Sequence, residues 1–137
     1  MDQSLPVGPL NLLVVDDSED LRDLTAFHLE LDGGHSVRTA IHGADALEAY
    51  DQSLKGDEPI DAILMDVRMP VMDGYEAAGA LRARGCALPI IALTAHAMEG
   101  EENRCLQAGY SSYMSKPIDY PALLSFLGQV CESSDSP

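Results

Sequence analysis

Four apolar residues, Ala62-Ile63-Leu64-Met65, run without interruption into a single carboxylate, Asp66. The run is too short for a globular helix and lacks the alternation of a half-solvated strand, which suits a strand buried on both faces. Two further runs have the same character. Leu10 to Val15 is broken only by Asn11 and stops at Asp16-Asp17-Ser18-Glu19-Asp20, and Leu88 to Leu93, with Pro89 near its start, stops at Thr94. A proline is tolerated there because the missing donor falls at a strand's beginning. Strands of this kind need helices on both faces, so the segments between them should be helical.

The intervening segments fit. Leu21, Leu24, Phe27 and Leu31 recur every three or four residues behind Ser18, a candidate N-cap, and Gly33-Gly34 ends the pattern. Ala44 to Leu54 reads helical, with Ala44, Leu47 and Leu54 as one stripe. A third helix opens at Asp73-Gly74 and stops at Gly85. Met98 to Ala108 is helical but acidic and thinly apolar, the helix expected to be mobile, with Glu99, Glu101 and Glu102 on a solvated face. The last helix, Tyr120 to Cys131, buries Leu123, Leu124, Leu127 and Val130. Ser36 to Ala40 is a weak strand suited to a sheet edge, and Ser112 to Met114 is a short fifth strand. Five strands alternating with five helices over short connections give a doubly wound α/β fold with a parallel sheet. The expected division is a flexible leader over 1–9, one domain over 10–131 and a flexible tail over 132–137.

Composition narrows the function. The 137 residues carry a formal net charge of -15, so phosphate backbones are repelled and direct nucleic-acid binding is not expected. No apolar run reaches membrane-spanning length and no secretory signal opens the chain. Cys86, Cys105 and Cys131 are widely spaced, with no paired motif, and read as reduced structural thiols of a cytoplasmic protein.

In such a fold ligands bind beyond the carboxyl ends of the strands. That edge collects Asp16, Asp17, Asp66, Thr94 and Lys116. Three converging carboxylates need a counter-charge to stay ionised, and oxygen-only ligands favour magnesium, manganese or calcium. With a cation bound, a phosphoryl group becomes welcome there. Lys116 offers a second positive charge, Thr94 a neutral hydroxyl, and Asp66 a carboxylate nucleophile. Each group has an ordinary role as well. Asp16-Asp17 can be a dipole-favoured helix start, as Glu19 and Asp20 are taken to be. Lys116 can be a surface lysine, Tyr113 a half-buried packing residue and Thr94 a turn cap. His28, His35, His42 and His96 are scattered, and Met69, Met72, Met98 and Met114 read as gap-filling residues.

Asp16-Asp17, Asp66, Thr94-Ala95 and Lys116-Pro117 together resemble the receiver domains of two-component response regulators, over about Leu10 to Val130. The resemblance implies a flavodoxin-like (βα)5 fold of strand order 2-1-3-4-5, a topology the general rule on switch points already ascribes to this family. It implies phosphorylation of Asp66 from a phosphohistidine. It implies magnesium, with manganese as an alternative, held by Asp17, Asp66, the backbone carbonyl of Arg68 and, through water, Asp16. It implies a switch in which Thr94 turns towards the phosphoryl group and Tyr113 follows, reshaping the surface of the fourth helix, fifth strand and fifth helix. Arg68 and His96 fall where the family tunes phosphoryl lifetime, and Lys116-Pro117 is expected to be cis. The wording of Met65 to Gly74 and of Ala92 to Met98 is similar to receivers appended to hybrid sensor histidine kinases. The implied partners are a histidine kinase or a histidine phosphotransfer domain, with the chain a monomer or weak dimer, and a stand-alone single-domain regulator is the alternative.

Two other functions share parts of this pattern. A flavodoxin-like flavin-phosphate binder needs hydroxyls and glycine amides after the first strand, where this chain has four carboxylates in five residues. A haloacid-dehalogenase-type phosphatase needs a second acid two residues after its nucleophile, where this chain has Arg68.

Overall fold

The computed structural model describes residues 9–56, 59–95 and 100–135, with side chains as far as Val130. Strands β1 (Asn11–Val15), β2 (Ser36–Ala40), β3 (Ala62–Asp66), β4 (Ile90–Thr94) and β5 (Ser112–Ser115) alternate with helices α1 (Glu19–Leu31), α2 (Gly43–Lys55), α3 (Gly74–Ala83), α4 (Glu101–Ala108) and α5 (Tyr120–Asp135). All four strand pairings are parallel and the order is β2-β1-β3-β4-β5, as the resemblance implied. The weak second strand lies at one edge.

Alternation along the central strands divides the core in two. Leu13, Val15, Ile63, Met65, Ile90 and Ala92 meet Leu47 and Tyr50 of α2, Ala77 and Leu81 of α3 and Cys105 of α4 on one face. Leu12, Val14, Leu64, Ile91 and Leu93 meet Leu29 of α1 and Leu123 and Leu127 of α5 on the other. The three central strands are therefore buried on both sides, as their unbroken apolar runs required.

Local signals account for the helix starts. The Ser18 hydroxyl accepts from the Leu21 amide, and His42 caps α2 by accepting from the Asp45 amide. At α3, Asp73 and Glu76 form a reciprocal capping box. The methionines Met69, Met72 and Met114 pack against the core as expected, while Met98 falls outside the described residues. Cys86 and Cys105 are buried free thiols.

Four expectations are corrected. Leu21, Leu24, Phe27 and Leu31 do not face the sheet: they are 36–67% exposed, and α1 buries Thr25 and Leu29 instead. At about 100° per residue the exposed set is centred about 120° around the helix from Thr25 and Leu29, with Leu21, one turn before Thr25, at the margin of the buried side. The anchors at its ends select the buried side: Ser18 lies beside Asp16, the His35 amide donates to the Leu29 carbonyl, and Thr25 shares a hydrogen bond with Tyr120 of α5. In α2 Leu54 is likewise exposed, and Ala46, Ala49, Tyr50 and Ser53 join Leu47 in the interior. Glu101 is buried rather than solvated, held by the Tyr75 hydroxyl. The last helix continues through Asp135, so Glu132 to Asp135 are helical. Of the leader, only Pro9 belongs to the described residues.

At the amino ends of the strands the buried imidazole of His35 closes the sheet. Its Nδ1 accepts from the Leu10 amide at 3.0 Å, and burial holds its pKa below the ordinary histidine value against the opposing pull of Asp61. Asp61 in turn accepts from the Asn11 amide at 2.8 Å. The carboxyl ends carry a different set of groups.

Candidate functional site at the carboxyl ends of the strands

Parallel pairing in register brings the strand tips to one edge, Val15 opposite Met65 and Asp66 opposite Leu93. Asp16 follows β1 directly, Asp66 is the last residue of β3, Thr94 the last of β4, and Lys116 comes immediately after β5. Lys116 Nζ donates to Asp16 Oδ2 at 3.3 Å and to Asp66 Oδ2 at 3.2 Å. Both carboxylates are buried, so these are not solvent-screened surface pairs. The Lys116-Pro117 peptide is cis, as expected.

The remaining oxygens are also directed. Asp16 Oδ1 accepts from the Ser18 amide at 2.9 Å, and Asp66 Oδ1 from the Arg68 amide at 3.4 Å. Arg22 of α1 donates from Nη1 to the Asp16 carbonyl at 2.9 Å. Asp17 is exposed, yet one of its carboxylate oxygens lies within 4.8 Å of ligand oxygens of both Asp16 and Asp66. Thr94 is buried, and its carbonyl accepts from the Lys116 amide at 2.7 Å. That bond ties the end of β4 to the residue that carries the cation.

The electrostatics are unbalanced. Burial raises the Asp66 pKa, Lys116 pulls it back, and Asp16 pushes it up again, leaving it above the ordinary carboxylate value. For Lys116 burial works downward, but Asp66 and then Asp16 outweigh it and the pKa rises. Three carboxylates facing one ammonium leave an excess of negative charge at the mouth. The donor set is all oxygen, which fits a hard divalent cation of the magnesium or manganese type. Asp17 opens to solvent, whereas Asp16 and Asp66 each have both oxygens engaged by donors.

Asp16, Asp17, Asp66 and Lys116 are thus gathered as the sequence suggested, with the Arg68 main chain against Asp66. Tyr113 is half-buried on β5, in register with Ala92, and packs against the α2–α3–α4 side of the sheet. His96 lies outside the described residues. His28, His35 and His42 serve as a ring stacked on Tyr120, a buried acceptor and a helix cap.

Two residues at the site carried no sequence signal. Arg22 shares its heptad with ordinary surface positions of α1. Tyr110, buried between α4 and β5, donates its hydroxyl to the main-chain carbonyl of Asp66 at 3.1 Å. Only the fold aims this hydroxyl at the Asp66 main chain.

Known proteins with this arrangement identify it. A 14.6 kDa protein of Leptolyngbya boryana, encoded in the sodA1 3′ region, is 39% identical over 91% of this chain and 92% of its own length. The sensor histidine kinase RcsC of Salmonella typhi is 39% identical over 88% of this chain, which spans only 12% of that kinase. The chemotaxis protein CheY4 of Vibrio cholerae superposes with a TM-score of 0.77 at 31% identity, covering 90% of this chain and 99% of that one. Residues 12–127 match the response regulator receiver domain, and the chain is a member of that family, similar to receivers carried by sensor histidine kinases.

Proposed function

We propose that the chain accepts a phosphoryl group on Asp66 from a phosphohistidine, in a magnesium-dependent step of a two-component phosphorelay. The observation that carries this reading is the shared ammonium: Lys116 lies between the buried carboxylates of Asp16 and Asp66, with Asp17 at the open side. A carboxylate oxygen of Asp66 attacks phosphorus, the nitrogen–phosphorus bond breaks, and the imidazole leaves with the electron pair and takes up a proton. Lys116 holds the unreacted Asp66 oxygen and later a phosphoryl oxygen, and the Thr94 hydroxyl donates to another. Asp17, Asp66, the Arg68 carbonyl and, through water, Asp16 would hold the cation. When bound, the cation neutralises charge on the transferring group. Thr94 and Tyr113 couple the new charge to the α4–β5–α5 surface, a local charge event biasing a two-state element. Arg68 and His96 tune how long the phosphoryl group persists.

The donor is a histidine kinase or histidine phosphotransfer domain. Similarity to a segment within a sensor kinase favours a hybrid-kinase origin in the cytoplasm, with a parent chain that carries any membrane anchor. No helix among the described residues is long and apolar enough to cross a membrane. Similarity along 92% of a 14.6 kDa relative favours the second reading, a receiver that works as a small separate protein, monomeric or weakly dimeric.

The test is labelling with magnesium and a small-molecule phosphodonor such as acetyl phosphate. One label per chain is expected, lost on chelation and in Asp66→Asn. Labelling that persists in Asp66→Asn overturns the assignment. Phosphotransfer from a panel of histidine kinases and phosphotransfer domains then identifies the donor.

A further inference from the structure

The hydroxyl of Tyr110 reaches the Asp66 carbonyl through space that no side chain occupies. A Cβ on Gly74, the first residue of α3, would stand 1.9 Å from that hydroxyl and 2.4 Å from the carbonyl oxygen. Gly74 itself donates its amide to the Val67 carbonyl at 2.8 Å. The tyrosine ring is buried and meets Tyr75 edge-on at 6.5 Å between centroids. Tyr75 donates its hydroxyl to the buried carboxylate of Glu101 in the first turn of α4, and Arg104, one turn on, covers its ring at 4.4 Å. An unbroken run of contacts therefore leads from the acceptor's main chain to α4. A carboxylate at this depth would be expensive without a donor, and the tyrosine supplies it.

We propose that Tyr110 is a positioning residue for the phosphoacceptor, and that Tyr110, Tyr75 and Glu101 form a brace joining the Asp66 main chain to the first turn of α4. The proposal rests on the reading of Asp66 as the acceptor. The brace acts through the peptide following Asp66, whereas Lys116 acts through the side chain, so the two constraints are separable. Burial and the Glu101 hydrogen bond push the Tyr75 pKa up to about 12, and burial raises that of Tyr110 as well, so both hydroxyls stay protonated at neutral pH.

The experiment compares the wild-type chain with Tyr110→Phe and with Ile90→Val. The second is a packing control that trims the same core cluster and touches none of the brace's side-chain hydrogen bonds. Magnesium titrations followed by backbone amide NMR, and labelling rates with acetyl phosphate, are read on all three. For Tyr110→Phe the expected results are a displaced Val67 amide resonance without metal and a three- to tenfold loss, roughly one net hydrogen bond, in magnesium affinity or labelling rate. The magnesium-induced shifts of the Glu101 to Cys105 amides should also disappear in that variant. Tyr110→Phe behaving as wild type overturns the brace, and so does an equal loss in Ile90→Val, which would mark a packing effect. A wild-type chain that neither binds magnesium nor takes label overturns the acceptor assignment itself.

Discussion

The two ends of the sheet handle buried titratable groups in opposite ways. At the amino end His35 is held neutral, with its pKa lowered by burial, and its lone pair serves the Leu10 amide. At the carboxyl end Asp66 is buried beside a second carboxylate, and its pKa is raised by burial and Asp16 despite Lys116. The first arrangement stabilises the fold at neutral pH, because the form that dominates in solution is the form the interior prefers. The second opposes the fold at neutral pH, because ionising Asp66 costs more in the folded chain than in the unfolded one. The proposed acceptor sits where the fold tolerates that cost.

Breaking the amino end should give the largest effect. His35→Ala removes a buried acceptor and leaves a cavity, and a loss of about 2–4 kcal/mol is expected in denaturant unfolding. The gap should narrow as pH falls. A histidine whose folded pKa is depressed contributes stability above its unfolded value near 6.5, and that stability is lost as pH drops below it. A gap that widens between pH 7 and pH 5 would contradict the neutral assignment.

Relieving the carboxyl end should move stability the other way, by less. Asp66→Asn is expected to stabilise the metal-free chain at pH 7, by less than His35→Ala destabilises it, because it removes the repulsion from Asp16 while Lys116 keeps Asp16 as its partner. A raised carboxyl pKa opposes folding above the ordinary carboxylate range, so the advantage should vanish as pH falls below it and Asp66 is protonated in both states. Magnesium should raise the melting temperature of the wild type and leave Asp66→Asn nearly unmoved, since a ligand stabilises only the form that binds it. The smallest change calibrates both ends. Phe27→Ser, on the exposed side of α1, should alter stability by no more than about 0.5 kcal/mol despite the loss of a large apolar side chain.

That last variant marks where sequence and fold part. The strands were legible because burial on both faces leaves an unbroken apolar run, and the site was legible because parallel strands deliver their following residues to one edge. Pattern alone reads α5 correctly, with Leu123 and Leu127 fully buried, and misreads α1, where an equally regular stripe faces outward. The difference lies in the neighbours. The orientation of α1 is fixed by Ser18, by the His35 amide and by Tyr120, contacts that hydrophobic periodicity does not encode. Glu101 was misread for the same reason, since its donor comes from Tyr75 on a different helix. Asp16, Asp17, Asp66, Thr94 and Lys116 were legible as a set, whereas Arg22 and Tyr110 reach main-chain carbonyls whose positions exist only after folding.

The ammonium that completes the site lies 100 residues along the chain from one of its partners and 50 from the other. During synthesis the acidic residues emerge first and Lys116 follows much later, so Asp16 and Asp66 lack the ammonium they share until the fifth strand has joined the sheet. With Asp66 as the proposed acceptor, readiness to react is therefore a report on finished folding: a ribosome-bound chain truncated before Lys116 carries the carboxylates without the ammonium they share.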